Sequence, residues 1–138
     1  MKATYTLGRT ERMKSRKQIE RLFREGRNFT LSAFKVFYVF DRLTDTAGEV
    51  SLQAGVSVST RNFKKAVHRN RTKRLLRESI RLQKIPLEEQ LRQQKQVLHF
   101  FVIFTGRQLP EFSFVKEKTA AILQKLSAIA NENPQIPS

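Results

Sequence analysis

One short apolar run constrains the fold more than any other part of this chain. Residues 97–105 (VLHFFVIFT) are apolar almost throughout, with His99 as the one strongly polar residue before the closing threonine. A strand with one face in water alternates polar and apolar side chains, whereas a strand covered on both faces is apolar along its length. The run is far shorter than the ~20 residues that a membrane-spanning helix needs. The sequence therefore predicts a central strand with other elements packed on both of its faces.

The other elements follow from hydrophobic spacing, with a helix where apolar residues recur every three or four positions and a strand where β-branched and aromatic residues cluster or alternate. In chain order this predicts a helix over 16–25 with a Ser15–Gln18 capping box, room for a short strand over 28–33, strands over 34–40 and 50–59, helices over 62–82 and 87–96, the central strand, and a helix over 113–131. We expect the strands 34–40 and 50–59 to form an antiparallel hairpin with a long loop. The order α-β-β-(β)-α-α-β-α predicts an α+β fold, with one central sheet and helices packed on it.

The length and the chain ends predict a single domain. The 138 residues leave no room for a second core, so residues 15–131 are expected to form one domain. Residues 1–14 lack a clear period and are expected to be a basic flexible arm, and residues 132–138, with two prolines, a disordered tail. The absence of cysteine excludes disulfides and zinc fingers. The N-terminus lacks the apolar stretch of a secretory signal, so a cytoplasmic location is expected.

The positive charge of the chain is concentrated in two segments. Its 27 basic and 12 acidic residues give a net charge of +15, and residues 1–27 together with residues 61–81 hold +14 of it. A chain that needed charge only for solubility would intersperse both signs. Phenylalanine occurs 11 times, which is too apolar a composition for a disordered basic tail. The charge map therefore predicts a folded protein that binds a polyanion.

The second basic segment has helical spacing, so its charges can be assigned to one side of a helix. Positions 70, 74, 77 and 81 are four, three and four residues apart and share a face, with Arg71 at its edge and with Leu76 and Ile80 on the packed side. Arginine predominates there, and its planar fork grips phosphate oxygens in a fixed geometry. Asn70 adds an amide that can bridge a phosphate or a base edge. The alternative interpretation is an ordinary solvated helix face.

The same segment carries a family resemblance. The run 66–78 (AVHRNRTKRLLRE), preceded by the strand residues 55–59 (GVSVS), closely resembles the bacterial ribonuclease P protein component, with the Arg-Asn-Arg followed by Lys-Arg intact. The basic capped helix and the aromatic strand after it extend the resemblance to residues 9–130. The resemblance implies a left-handed helical crossover between parallel central strands, against the general preference for right-handed ones.

The resemblance also implies a function. The small protein of this family binds one large catalytic RNA, and that RNA with its Mg²⁺ ions removes the 5′ leader from precursor tRNA. The protein is thus implied to be an accessory subunit of an endoribonuclease, with catalysis carried by the RNA subunit. No catalytic residue or metal ligand is assigned in this chain, and whether the protein contributes a ligand to Mg²⁺ stays open. The implied partners are the RNA subunit and precursor tRNA, and neither a membrane nor DNA is expected.

Two sets of site residues follow from the resemblance. The residues expected to face the RNA subunit are Lys64, Lys65, Arg69, Asn70, Arg71, Lys73, Arg74, Arg77 and Arg81. The residues expected to line a groove for the single-stranded leader are Arg16, Ile19, Phe23, Lys35 and Phe37. Aromatic platforms beside basic side chains are how single-stranded nucleic acid is held, which supports the second set independently of the family. The alternative for Phe23 and Phe37 is ordinary core packing.

The remaining titratable residues suggest no catalytic centre. His68 lies in the basic segment and is expected to face RNA, whereas His99 is expected to be a hydrogen-bonded core residue. The sequence has no paired carboxylates at diagnostic spacing, glycine-rich phosphate loop or metal-ligand cluster. A stand-alone nuclease is therefore disfavoured, and a non-catalytic structural RNA-binding protein of the ribosomal type is the alternative to the ribonuclease P subunit.

Overall fold

The computed structural model describes residues 16–44, 50–61 and 63–132, which form helices and strands in the predicted order. The elements are α1 (Arg16–Glu25), β1 (Arg27–Leu31), β2 (Phe34–Arg42), β3 (Leu52–Val58), α2 (Ala66–Gln83), α3 (Ile85–Gln93), β4 (Gln96–Phe104) and α4 (Phe112–Glu132). The α+β fold is confirmed, and the short strand that the sequence left room for is β1. The predicted arm 1–14, the capping residue Ser15 and residues 133–138 of the predicted tail lie outside the described residues.

The four strands form one mixed sheet in the order β1-β2-β4-β3. β2 is antiparallel to both β1 and β4, whereas β3 is parallel to β4. The predicted antiparallel hairpin between residues 34–40 and 50–59 is therefore wrong, because β4 lies between β2 and β3. Alternation of polar and apolar residues along a strand shows which face is buried, but it does not show which other strand lies beside it. The segment α2–α3 is a helical crossover between the parallel strands β3 and β4, and the left hand of this crossover stays a prediction.

One face of the sheet carries the larger core. Phe34 and Val36 of β2 point to this side and are fully buried beneath α2 and α4. Leu76 and Ile80, the two residues expected on the packed side of α2, are also fully buried. α4 adds a buried stripe that includes Ile122 and Leu126. This core fixes α2 rigidly on the sheet, so the opposite side of α2 is presented to solvent.

The other face of the sheet carries a smaller core beneath α1. Leu22 of α1 and Phe101 of β4 are its buried residues, and Ile19, Phe37 and Val39 pack around them half-buried. β4 therefore has buried side chains on both faces, as its apolar run predicted. Only α1 covers this second face among the described helices, so part of it stays open.

The start of α2 differs from the sequence prediction. The spacing predicts a helix from residue 62, whereas α2 begins at Ala66 and Lys65 is extended, with φ −81° and ψ 125°. Phe63 is buried, and its ring stacks on Phe104 at a centroid distance of 6.0 Å. The ring of Phe63 packs on β4 and the two residues after it are not helical, so the helix starts four residues later than its period suggests.

Candidate nucleic-acid interface

The exposed side of α2 forms the first surface, named here the basic face and defined by Asn70, Arg71, Arg74 and Arg77. All four side chains are exposed. Asn70, Arg74 and Arg77 are four and three residues apart and so share one side of the helix, and Arg71 follows Asn70 at the edge of that side. The helix beneath them is fixed by Leu76 and Ile80, so the structure brings this part of the predicted set together on a rigid support. Fixed guanidinium groups lose little freedom on gripping phosphate oxygens.

Arg81 extends the basic face, but it also has an acidic partner. Its Nε donates to Oε2 of Glu78 at 3.0 Å, and a second nitrogen of the guanidinium donates to the other carboxylate oxygen. These hydrogen bonds lower the pKa of Glu78 and raise that of Arg81. Glu78 is the one acid between residues 61 and 81, so the pairing reduces the positive charge only at the C-terminal end of the surface.

The remaining predicted RNA-facing residues lie around the start of α2. Lys64 and Lys65 are exposed in the segment that precedes the helix, whereas Lys73 and His68 are half-buried. Arg69 is also half-buried, and its Nη1 donates to the backbone oxygens of Phe63 and Lys64, both at 2.8 Å. Six residues of the predicted set are therefore exposed, whereas Lys73 is half-buried, Arg81 pairs with Glu78, and Arg69 donates to the backbone before the helix.

The second surface lies between α1 and the sheet and is named here the aromatic groove, defined by Arg16, Ile19, Phe23, Lys35 and Phe37. The ring of Phe23 lies 4.7 Å from that of Phe37 and 5.5 Å from that of Phe101, between centroids. Its side chain nevertheless remains 45% exposed. Nζ of Lys35 lies 5.3 Å from the centroid of Phe37.

The aromatic residues of the groove take part in core packing and also leave a surface on which a base could stack. Phe23 and Phe37 pack at the edge of the smaller core, and Phe23 also keeps nearly half of its surface open to solvent. Arg16 is exposed on the first turn of α1, so cationic side chains are present on both α1 and β2. An aromatic surface flanked by cations can stack a base and neutralise the phosphate beside it.

A polar cluster that the sequence analysis missed anchors α1 beside this groove. The guanidinium of Arg21 donates to both carboxylate oxygens of Asp41, at 2.9 and 2.8 Å. Nε2 of His99 lies 3.0 Å from Oδ2 of Asp41, and its Nδ1 lies 2.9 Å from Oε1 of Gln53. Nε2 of Gln18 donates to the same oxygen of Gln53 at 3.4 Å. The cluster joins α1 to three strands, and it confirms His99 as a hydrogen-bonded residue.

The charges of this cluster stabilise one another. The hydrogen bonds from Arg21 lower the pKa of Asp41 below its ordinary value of 3.8, and Asp41 in turn raises the pKa of Arg21. Periodicity could have indicated Asp41, because it continues the 35-37-39 series of β2 on the α1 side of the sheet. It was missed because the strand was expected to end at residue 40, with Asp41 in the turn.

The described residues offer little that could hold a metal or cross a membrane. No three histidine, aspartate or glutamate side chains lie close enough together to hold a metal ion within residues 16–44, 50–61 and 63–132. In the same part of the chain, no helix has the length and apolarity that a bilayer span requires. The fold and the two surfaces define a class, a basic α+β protein with an exposed arginine-rich helix face and a partly exposed aromatic groove.

Comparison with known proteins places the chain within this class. The family model for Ribonuclease P matches residues 7–127. The Ribonuclease P protein component of Porphyromonas gingivalis is 33% identical over 132 residues, which cover 96% of this chain and 92% of that protein. The chain belongs to the ribonuclease P protein family, whose members are accessory subunits of the endoribonuclease ribonuclease P. The resemblance seen in the sequence is confirmed, and the ribosomal-type alternative is not favoured.

Two solved structures share the fold. The RNase P protein of Staphylococcus aureus superposes with a TM-score of 0.62 at 19% identity, over 84% of this chain and 94% of that one. The RNase P protein of Thermotoga maritima gives a TM-score of 0.61 at 24% identity, over 83% and 96% of the two chains. At these identities the likeness establishes the architecture alone.

Proposed function

We propose that this ribonuclease P protein binds the catalytic RNA through α2 and the single-stranded leader of precursor tRNA through the aromatic groove, and so assists removal of the 5′ leader. The observation that carries the proposal is the exposed row Asn70, Arg71 and Arg74 on a helix whose other side is fixed in the core. A rigid cationic row suits the regular phosphates of a folded RNA.

The proposed RNA surface includes residues beyond this row. Its members are the nine basic or amide residues of the α2 region, Lys64, Lys65, Arg69, Asn70, Arg71, Lys73, Arg74, Arg77 and Arg81. Exposed members supply direct phosphate contacts, whereas Arg81 shares its guanidinium with Glu78. The surface is therefore strongest at the N-terminal half of α2.

The aromatic groove is proposed to bind the leader, because the leader is single-stranded and its bases are free to stack. Stacking of a base on an aromatic side chain contributes about 1–3 kcal/mol. The open part of Phe23, backed by Phe37, offers one such platform, with Lys35 beside the ring of Phe37 and Arg16 two helical turns before Phe23 on α1. Ile19 is aliphatic and supports the groove by packing.

The Mg²⁺ that the family implies is proposed to be bound mainly by the RNA subunit, whose phosphate oxygens are the hard ligands that Mg²⁺ prefers. When bound there, Mg²⁺ supplies an activated water and stabilises the charge that develops on the phosphodiester. The residues of this chain position the RNA and the leader, which lowers the entropic part of the barrier. We propose that this assembly works in the cytoplasm.

Reconstitution tests the proposal. The full-length protein is combined with the ribonuclease P RNA of the same organism at low Mg²⁺, and leader removal from precursor tRNA is followed on a gel. We expect the protein to restore cleavage that the RNA alone performs poorly, and the protein alone to leave the precursor intact. Cleavage by the protein without RNA, or no stimulation of the RNA, would contradict the proposal.

A further inference from the structure

Arg69 opens the Arg69–Asn70–Arg71 sequence, yet its side chain is used differently from those of the next two residues. Its Nη1 donates to the backbone oxygens of Phe63 and Lys64, both at 2.8 Å. The two N–H groups on one guanidinium nitrogen are therefore directed at the chain itself. Arg69 is half-buried, whereas Asn70 and Arg71 are exposed.

Apart from the Arg69 side chain, the segment 63–65 is joined to α2 by the oxygen of Lys65, which accepts from the N–H groups of His68 and Arg69, both at 3.2 Å. Lys65 is extended and occupies the position before the helix, where its side chain makes no capping hydrogen bond. Upstream, Phe63 is anchored by its buried ring and by its N–H, which donates to the oxygen of Ser59 at 3.2 Å. Arg69 thus joins the helix to the backbone between an anchored ring and an uncapped helix end.

Two exposed cations depend on this backbone. Lys64 and Lys65 belong to the proposed RNA surface and project from residues 64 and 65, next to the oxygens that Arg69 holds. A flexible segment would have to be ordered when the lysines bind phosphate, and the conformational entropy lost in that ordering would weaken binding. Hydrogen bonds from a charged donor to two carbonyls are strong enough to supply that order in the free protein.

We propose that Arg69 is a positioning residue, which acts on RNA binding through the 63–65 backbone by presenting Lys64 and Lys65 beside the basic face. This inference rests on the proposed function. It assigns different roles to Arg69 and Arg71, although both residues are adjacent to Asn70 in the sequence. Arg71 is proposed to reach phosphate directly.

The first test uses the free protein and needs no RNA. Hydrogen exchange at the His68 amide, which donates to the oxygen of Lys65 at 3.2 Å, is compared in wild type, Arg69→Ala and the matched variant Arg71→Ala. Because Arg69 holds the backbone that leads into Lys65, we expect exchange at His68 to be about tenfold faster in Arg69→Ala. Arg71→Ala should exchange like the wild type. Equal exchange in all three proteins overturns the inference.

The second test is a double-mutant cycle on the Kd for the ribonuclease P RNA. Arg69→Ala is measured in the wild type and in a Lys64→Ala/Lys65→Ala background. If Arg69 acts through the lysines, its loss should weaken binding by about 20-fold in the wild type and by no more than about threefold in their absence. Arg71→Ala should weaken binding by a similar factor in both backgrounds.

The cycle separates failure of this inference from failure of the proposed function. An equal effect of Arg69→Ala in both backgrounds would mean a direct contact with RNA, which overturns the positioning role but supports the RNA surface. If neither Arg71→Ala nor the Lys64→Ala/Lys65→Ala pair weakened binding of the RNA, the proposed RNA surface itself would be overturned. Should Arg69→Ala fail to fold by circular dichroism, Arg69→Lys replaces it, because lysine keeps the charge but ends one bond short of the two oxygens.

Discussion

The basic face and the aromatic groove differ in how the fold holds their side chains. On the basic face, Arg71 and Arg74 are exposed and the helix is fixed by residues on its other side. In the groove, Phe23 and Phe37 pack on the smaller core, and the neighbouring Arg21 is held by Asp41. The first surface is separate from the structural core, whereas the second is part of it. Substitutions should therefore affect binding alone on the basic face, and both binding and stability in the groove.

The difference extends to the free energy of the unbound protein. Like charges three or four residues apart on a helix cost a few tenths of a kcal/mol per pair, so the basic face mildly destabilises α2 until a polyanion neutralises it. Beside the groove, the charges of Arg21 and Asp41 are already neutralised by each other. The groove itself contributes only the cations Arg16 and Lys35, so ionic strength should act more strongly on the first surface than on the second.

The largest expected effect is the salt dependence of binding to the RNA subunit. A protein that neutralises six or more phosphates loses about 10³-fold in affinity between 50 and 200 mM salt, because condensed counterions are no longer released as favourably. We expect a loss of this order for the full-length protein, measured as Kd against salt concentration. The ratio of Kd values for leader-bearing and mature tRNA should change much less, since stacking dominates there. If the Kd for the RNA subunit did not change with salt concentration, the proposed electrostatic difference between the basic face and the aromatic groove would be wrong.

The next effect is that of two arginines on the basic face. Replacing both Arg71 and Arg74 with alanine should weaken holoenzyme assembly by about 50-fold and reduce the salt slope by about two, because two phosphate contacts are lost. The thermal midpoint should remain within about 1–2 °C of the wild type, since both side chains are exposed. Arg92→Ala, at an exposed arginine of α3, is the matched control and should leave both quantities unchanged. Unfolding of the double variant would mean that the two arginines are structural.

A smaller effect is expected in the groove. Phe23→Ala should weaken binding of leader-bearing precursor by about tenfold relative to mature tRNA, through loss of one stacking platform. It should also lower the free energy of unfolding by about 1 kcal/mol, because the ring packs on Phe37 and Phe101. Phe112→Ala removes a ring that is 36% exposed on α4, on the other side of the sheet, and should leave the ratio of affinities unchanged. Equal losses for both tRNAs in Phe23→Ala would argue against leader binding in this groove.

The order of elements was predictable from the sequence, but strand pairing was not. Helix α1 and the strands β2 and β4 were predicted within two residues of their observed bounds, because each carries a clear hydrophobic period. The pairing of β2 with β4 joins residues about 60 apart, such as Phe37 with Phe101. Local spacing contains no information on such a pair, so the hairpin between neighbouring strands was the default and was wrong.

The candidate site divides in the same way. The row of Asn70, Arg71 and Arg74 lies on one helix, so its shared face followed from spacing alone. The Arg21–Asp41–His99 cluster combines three elements, and its geometry exists only once β2 and β4 are paired. Likewise, nothing in the spacing of Arg69 indicates that its guanidinium turns back to the oxygens of residues 63 and 64. Contacts within one element are predictable from sequence, and contacts between elements need the fold.

The smallest expected effect concerns the cluster that anchors the groove. Asp41→Asn keeps a hydrogen-bond acceptor for Arg21 but removes the charge, and it should lower the free energy of unfolding at pH 7 by about 1 kcal/mol, as befits a partly exposed pair. Glu25→Gln is the matched control, because Glu25 contacts Arg21 at 3.3 Å and is half exposed. Glu25→Gln should lower the free energy of unfolding by less than Asp41→Asn does. Both variants are measured by urea unfolding.

The pH dependence of this difference tests its electrostatic origin. Arg21 holds the pKa of Asp41 below 3.8 in the folded protein, so the stabilisation by the carboxylate is present above that pH and is lost as the pH falls through the lower folded-state value. The difference in the free energy of unfolding between wild type and Asp41→Asn should therefore become smaller as the pH is lowered. His99 and Glu25 also face the cluster, so the titration is repeated in a His99→Gln background, where the same narrowing is expected. A difference in the free energy of unfolding that widened at acid pH would mean that folding raises the pKa of Asp41, and the ion pair with Arg21 would then not stabilise the fold.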